Sequence, residues 1–357
     1  MLSARTTVAA WLTFKGLRGC SRQGRARAIV TAGRRMIAVN GTWFERCALT
    51  LFLLAVPCLP LRAQPAMAPT GPYLIVLGIA QDGGVPQAGS QEHPGWADPR
   101  FRRRVASLGL VDRASGQTWM IDATPDFREQ LRTLDGMAPV EGTPGLAGIF
   151  LTHAHMGHYA GLMHLGHESM GARGVVVHVM PRMQVYLRSN GPWSQLVERG
   201  NIVLQTLEEG VPARLTGRLT VTPFTVPHRQ EYSEVVGFRI DGPKRSVVYV
   251  PDIDSWTEWD TAGRRLEDLI ASVDVAYVDG TFYADGEIPG RDMSGFPHPF
   301  ITVSMERLRA LPPQERARVR FIHLNHTNPA LWSDTKARRK VEEPGFRVAE
   351  EGEQIDL

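Results

Sequence analysis

Three histidines fall within six residues in His153-Ala-His155-Met-Gly-His158, between the apolar run Leu146-Ala-Gly-Ile-Phe-Leu151 and a stretch from Tyr159 to Met170 with helical apolar spacing. A strand that ends in a bend and turns into a helix brings alternate side chains to one side, so imidazoles two and three residues apart converge. A histidine at a loop ordinarily caps a helix or hydrogen-bonds locally; three at one bend read as a metal site. All three cysteines, Cys20, Cys47 and Cys58, lie near the N-terminus. The rest of the chain therefore has neither disulfides nor thiolate ligands, and any metal must be held by imidazole and carboxylate. Zinc, as one or two ions, is the first expectation, with iron and manganese as alternatives compatible with the same donors.

The cysteines belong to a leader. Residues 1–46 are rich in Arg and Lys, carry one acidic residue, Glu45, and precede the short apolar run Cys47 to Val56. This order, with Ala63 before Gln64, reads as a secretory signal peptide over residues 1–63, with Met36 as an alternative start. The run is shorter than the roughly 20 residues a membrane helix needs, so no stable span is expected after cleavage. Arg34-Arg35 is a poor fit to a twin-arginine signal, and Pro57 argues against a lipid anchor at Cys58. The chain is thus expected to be exported, to the periplasm or beyond, with a Pro/Ala-rich spacer at 64–72 and one domain over 73–357. A net charge of +3 over 357 residues excludes an obvious nucleic-acid surface. A small-molecule substrate is expected instead, and the oligomeric state stays open.

The elements that must position the histidines are legible as apolar, β-rich runs. Tyr73 to Gly78 reads as a strand, and Ser107–Asp112 with Thr118–Asp122 as a hairpin about Arg113 to Gly116. A helix opening at Pro125 follows. After the histidine bend come strands at Gly174 to Met180, Leu219 to Val226, Val235 to Ile240, Ser246 to Val250, Val273 to Val278 and Val319 to Leu324, with helices at Pro181 to Ser189 and near Ser304 to Ala310. Strand-rich halves with helices between them, lacking strict alternation, predict an α/β (αββα) sandwich of two mixed sheets with helices on the outer faces.

The histidine bend resembles the His-x-His-x-Asp-His signature of the metallo-β-lactamase superfamily, with Gly157 where aspartate is usual. Val226-Pro-His228 and Val250-Pro-Asp252, each after a strand and 24 residues apart, are similar to its later metal motifs, and His323 falls where the last would be. Within the superfamily, Leu77 to Gln87, Ile121 to Leu131, Asp279 to Tyr283 and His323 to Pro329 resemble the family of the B protein of pyrroloquinoline quinone biosynthesis. The cysteines often found in that family after Gly-Gly-x-Pro-Gln are absent from Ala88 to His93, so its structural zinc is not expected here.

The resemblance implies a first metal on His153, His155 and His228 and a second on His158, Asp252 and His323, with Asp252, His158 and His323 closest to the chemistry. It implies hydrolysis of an ester, lactone, amide or phosphodiester by metal-bound hydroxide. Gly157 cannot ligate, so a single-metal site is expected. His326 competes with His323. Asp82, Asp122 and His298 are expected behind the ligands or at the pocket, and His164 and His167 on the surface or in packing. Two rivals stand beside hydrolysis: an iron- and oxygen-dependent oxidative enzyme related to quinone biosynthesis, and a non-catalytic metal or ligand binder.

Overall fold

The computed structural model describes residues 71–137 and 146–357; the leader, its cleavage point and most of the spacer lie outside them. Among the described residues fourteen strands run, in chain order, β1 Tyr73–Gly78, β2 Ser107–Asp112, β3 Gln117–Ile121, β4 Gly148–Phe150, β5 Val175–Val179, β6 Ile202–Thr206, β7 Ala213–Arg214, β8 Thr220–Thr225, β9 Val236–Asp241, β10 Ser246–Val250, β11 Val275–Asp279, β12 Val319–Ile322, β13 Arg347–Val348 and β14 Gln354–Asp356. They form two seven-stranded sheets, ordered β14-β1-β2-β3-β4-β5-β6 and β13-β12-β11-β10-β9-β8-β7. Each is mixed: β3 to β6 are parallel in the first and β10 to β13 in the second, with antiparallel hairpins beyond.

The continuous apolar run of β1 follows from burial on both faces. Leu74 and Val76 enter the core between the sheets with Phe150, Phe238, Ile240 and Tyr249. The alternate residues Tyr73, Ile75 and Leu77 pack outward, in the cluster holding Phe127, Leu131 and Leu134 of the helix Phe127–Met137. That helix begins two residues after Pro125, which lies in the preceding turn. The helical spacing after Tyr159 resolves into one α-turn, Met156–Tyr159, and a 3-10 segment, Ala160–Leu165. The helix expected near Ser304 to Ala310 spans Ile301–Leu308. Among the described residues no helix is long and apolar enough to cross a membrane.

The parallel strands carry the site. Asp122, the His153 bend, Asp252, Asp279 and His323 all stand at or just past carboxyl ends of β3, β4, β10, β11 and β12, the end at which open α/β sheets assemble ligand sites. Within β5, His178 stacks flat on Phe150 at 4.1 Å. Burial pushes its pKa down to about 4, against an unfolded value near 6.5. As pH falls from about 6.5 to 4 the unfolded chain takes up a proton that the folded one refuses, so this group makes stability decline over that window, by about 2 kcal/mol. Urea midpoints at pH 7 and 4.5 are expected to fall less in His178→Leu than in the native chain; parallel declines would refute the assignment.

Candidate metal centre

Two groups of candidate ligand atoms lie close together at the strand ends. In the first, His155 Nδ1 lies 2.9 Å from His153 Nε2 and 3.1 Å from His228 Nε2. In the second, His158 Nε2 lies 3.1 Å from Asp252 Oδ2, and His323 Nε2 3.5 Å from the same oxygen. Asp252 also faces the first group, with Oδ1 3.9 Å from His228 Nε2. The six residues expected as ligands are thus gathered at one place. His153, His158, His228, Asp252 and His323 are buried, and His155 is partly open. His323 belongs to this cluster; His326, partly exposed and nearest in charge to His93, does not.

Each inward nitrogen is aimed by a partner on the opposite side of its ring, the arrangement that fixes tautomer and orientation in metal-binding histidines. Asp254 Oδ1 holds His228 Nδ1 at 2.7 Å, Glu231 Oε2 holds His155 Nε2 at 3.1 Å, and Asp122 Oδ2 holds His158 Nδ1 at 2.8 Å. Two threonines relay the remaining pair. Thr152 donates to Asp122 and accepts from His153 Nδ1 at 3.0 Å. Thr281 donates to Asp279 Oδ1 at 2.8 Å and accepts from His323 Nδ1 at 3.0 Å.

Asp122 also receives the Thr152 backbone N–H at 2.8 Å, which ties β3 to the histidine bend. Asp122 and His323 adopt left-handed backbone, φ 67° and 65°. Such conformations in non-glycine residues are sparsely populated and concentrate at functional sites.

Burial, with the neighbouring imidazoles, holds the His153 and His155 pKa values below the ordinary range, leaving neutral rings with a free lone pair. Burial pushes the Asp252 carboxyl up, but His323 and His158 outweigh it and hold it well below the usual carboxylate range. Burial likewise disfavours charge on His158, yet Asp122 and Asp252 override it and draw its pKa well up. The carboxylates around this ring call for a cation, a need that a proton or a metal ion meets. Hydrogen-bond geometry does not meet it: His158 Nε2, His323 Nε2 and Asp252 Oδ2 are all buried without a hydrogen-bond partner. Close, unpaired lone-pair donors of nitrogen and oxygen type fit a divalent metal.

His298 stands at the edge of this group, its Nδ1 2.7 Å from Asp279 Oδ2 and 3.9 Å from Asp252 Oδ1. Burial lowers its pKa, but Asp279 overcomes this and raises it to about 8. His164 stacks on Phe127, and exposed His167 pairs with Glu168. Sequence reading missed Asp254, Glu231, Thr152, Thr281 and above all Asp279, which is fully buried. The available signal was an acidic residue at a strand's carboxyl end, the rule that marks Asp122.

A family model described as a beta-lactamase superfamily domain matches residues 118–324. Coenzyme PQQ synthesis protein B of Methylobacterium sp. (strain 4-46) is 31% identical over 315 residues, spanning 79% of this chain and 99% of that protein. The crystal structure of Zn(2+)-bound PqqB from Methylobacterium extorquens is similar with a TM-score of 0.66 and 25% identity, over 80% of this chain and all of that one. A diphosphatase of the PhnP family shares the fold, with a TM-score of 0.57 and 20% identity over 80% of this chain and 97% of that one. With the strand order, the ligand set and these likenesses in agreement, the chain belongs to the metallo-β-lactamase superfamily, close to coenzyme PQQ synthesis protein B.

Proposed function

We propose that the chain is a metal-dependent hydrolase acting on an ester, lactone, amide or phosphodiester of a small molecule. The observation that carries this reading is Asp252, whose two oxygens face the two imidazole groups, 3.1 Å from His158 and 3.9 Å from His228. A metal ion bound there would lower the pKa of a coordinated water from 15.7 to about 7 and polarise the bond to be broken. The protein's part is positioning. His153, His155 and His228 keep lone pairs inward, held from behind by Thr152, Glu231 and Asp254. Asp252, ionised at neutral pH, balances positive charge between the groups, and His298 brings an imidazole beside it at the rim. The leader pattern further supports an exported enzyme. The 31% identity to coenzyme PQQ synthesis protein B supports a second reading, a step of coenzyme synthesis, for which iron-dependent oxidation is the rival chemistry to test.

The test is metal content and turnover of the protein purified without chelator. Zinc in the protein, with hydrolysis of an ester, lactone or phosphodiester panel lost on chelation and restored by zinc, is the expected result. Iron with substrate-dependent oxygen uptake would put the oxidative reading first. Full metal occupancy without any turnover would leave a binding protein.

A further inference from the structure

The signature's missing aspartate leaves a space, and another part of the chain fills it. A Cβ on Gly157 would overlap Asp82 Oδ1 and stand 2.6 Å from both Cα and Cγ of Asp82. The loop after β1 therefore runs through the volume that a side chain at 157 would take. From there Asp82 Oδ1 lies 3.2 Å from His158 Nε2 and 3.5 Å from His323 Nε2. Asp252 Oδ2 approaches the same two nitrogens from 3.1 and 3.5 Å.

All four of these atoms are buried, and none has a hydrogen-bond partner. Asp82 is 42% exposed as a side chain, yet Oδ1 itself is shut off from solvent, so one oxygen faces water and the other faces the histidines. Four buried, unpaired lone-pair donors at one point are costly unless a cation joins them.

The loop is fixed to the element that carries His323. Gln81 N donates to Leu324 O and Leu324 N to Ile79 O, both at 2.8 Å, and the Gln81 and Asn325 side chains hydrogen-bond. The Gly84 left-handed turn, φ 66°, closes the loop with a bond from its N–H to Gln81 O at 2.7 Å. Asp82 is thus held in place by backbone structure.

We infer that Asp82 is the carboxylate ligand of a second metal position, with His158, His323 and Asp252, and that residue 157 is glycine because Asp82 occupies its side-chain space. The inference rests on the metal-centre reading of the site and is independent of which bond is broken. It revises the expectation of a single-metal site: the carboxylate absent from the bend is supplied by a different loop.

The experiment is titration of the metal-stripped full chain and its variants with zinc, and with cobalt(II) followed by visible absorption. The native chain is expected to bind two ions. Asp82→Ala should keep the first and bind the second at least about 100-fold more weakly, beyond the range for losing an outer partner. Asp82→Asn keeps the volume and should weaken the second ion in the same way if Asp82→Ala fails to fold. Gly157→Ala should match Asp82→Ala, because its methyl displaces the loop, yet add little in an Asp82→Ala background.

A native chain binding fewer than two ions, or a folded Asp82 variant binding two with unchanged affinity, overturns the assignment. Failure of the hydrolase reading is distinct, since two bound ions without turnover sink that reading and leave this one standing.

Discussion

Replacing His155 by alanine is expected to abolish metal-dependent turnover and to lower affinity for the first ion by more than the roughly 10–100-fold that loss of an outer partner costs. His155 Nδ1 is the middle atom of the first group, 2.9 Å from His153 Nε2 and 3.1 Å from His228 Nε2. Removing it leaves two imidazoles where a catalytic zinc site uses three protein ligands. The position also suits the test, because His155 is 20% exposed while His153 and His158 are sealed in. The truncated site therefore opens to water and the core is left intact. Metal analysis, with kcat/KM measured at saturating zinc, checks the expectation. Unchanged metal content with unchanged turnover would remove His155 from the site and the proposed mechanism with it.

Asp279→Ala is expected to cost about 3–5 kcal/mol of stability and also to weaken metal binding, although Asp279 is not among the ligands proposed. Its carboxylate is fully buried and accepts from Ile253 N at 3.0 Å, Thr281 N at 2.9 Å, Thr281 Oγ1 at 2.8 Å and His298 Nδ1 at 2.7 Å. Truncation strands these donors in the interior, and His298, whose pKa this carboxylate raises, loses its counter-charge. It also releases both neighbours of the centre. Ile253 follows Asp252 directly, and Thr281 holds His323 Nδ1 at 3.0 Å. Urea unfolding of metal-free protein reads the stability loss and zinc titration the weakened site. Asp279→Asn, which keeps the volume and some acceptors, should be milder in both. A metal-free variant as stable as the native chain would show that the network has a compensating arrangement.

Asp279 illustrates what was legible and what was not. Its strand, Val275–Asp279, was readable from the apolar run, and Asp279 to Tyr283 was part of the family resemblance. Its role was hidden because its partners come from three separate segments that only the packing of β10, β11 and the His298 loop unites. The edge strands β13 and β14 escaped for a related reason. They are two and three residues long, too short for a period, and are stabilised by pairing with β12 and with β1.

Local sequence determined the two-sheet architecture and the candidate metal ligands of the histidine bend, His153, His155 and His158, and the family resemblance added His228, Asp252 and His323 as candidates. Apolar periodicity marks a strand within a few residues, and the side chains just beyond its end are carried to the sheet's edge wherever the strand goes. Tertiary structure alone decided that His323 and not His326 joins the cluster, and which groups stand behind each imidazole. It also decided that Asp82, 75 positions before Gly157, fills the space left by the glycine. A carboxylate is a ligand by its position in space, and a contact between a loop and a bend so far apart in the chain leaves no spacing or period in the sequence to announce it.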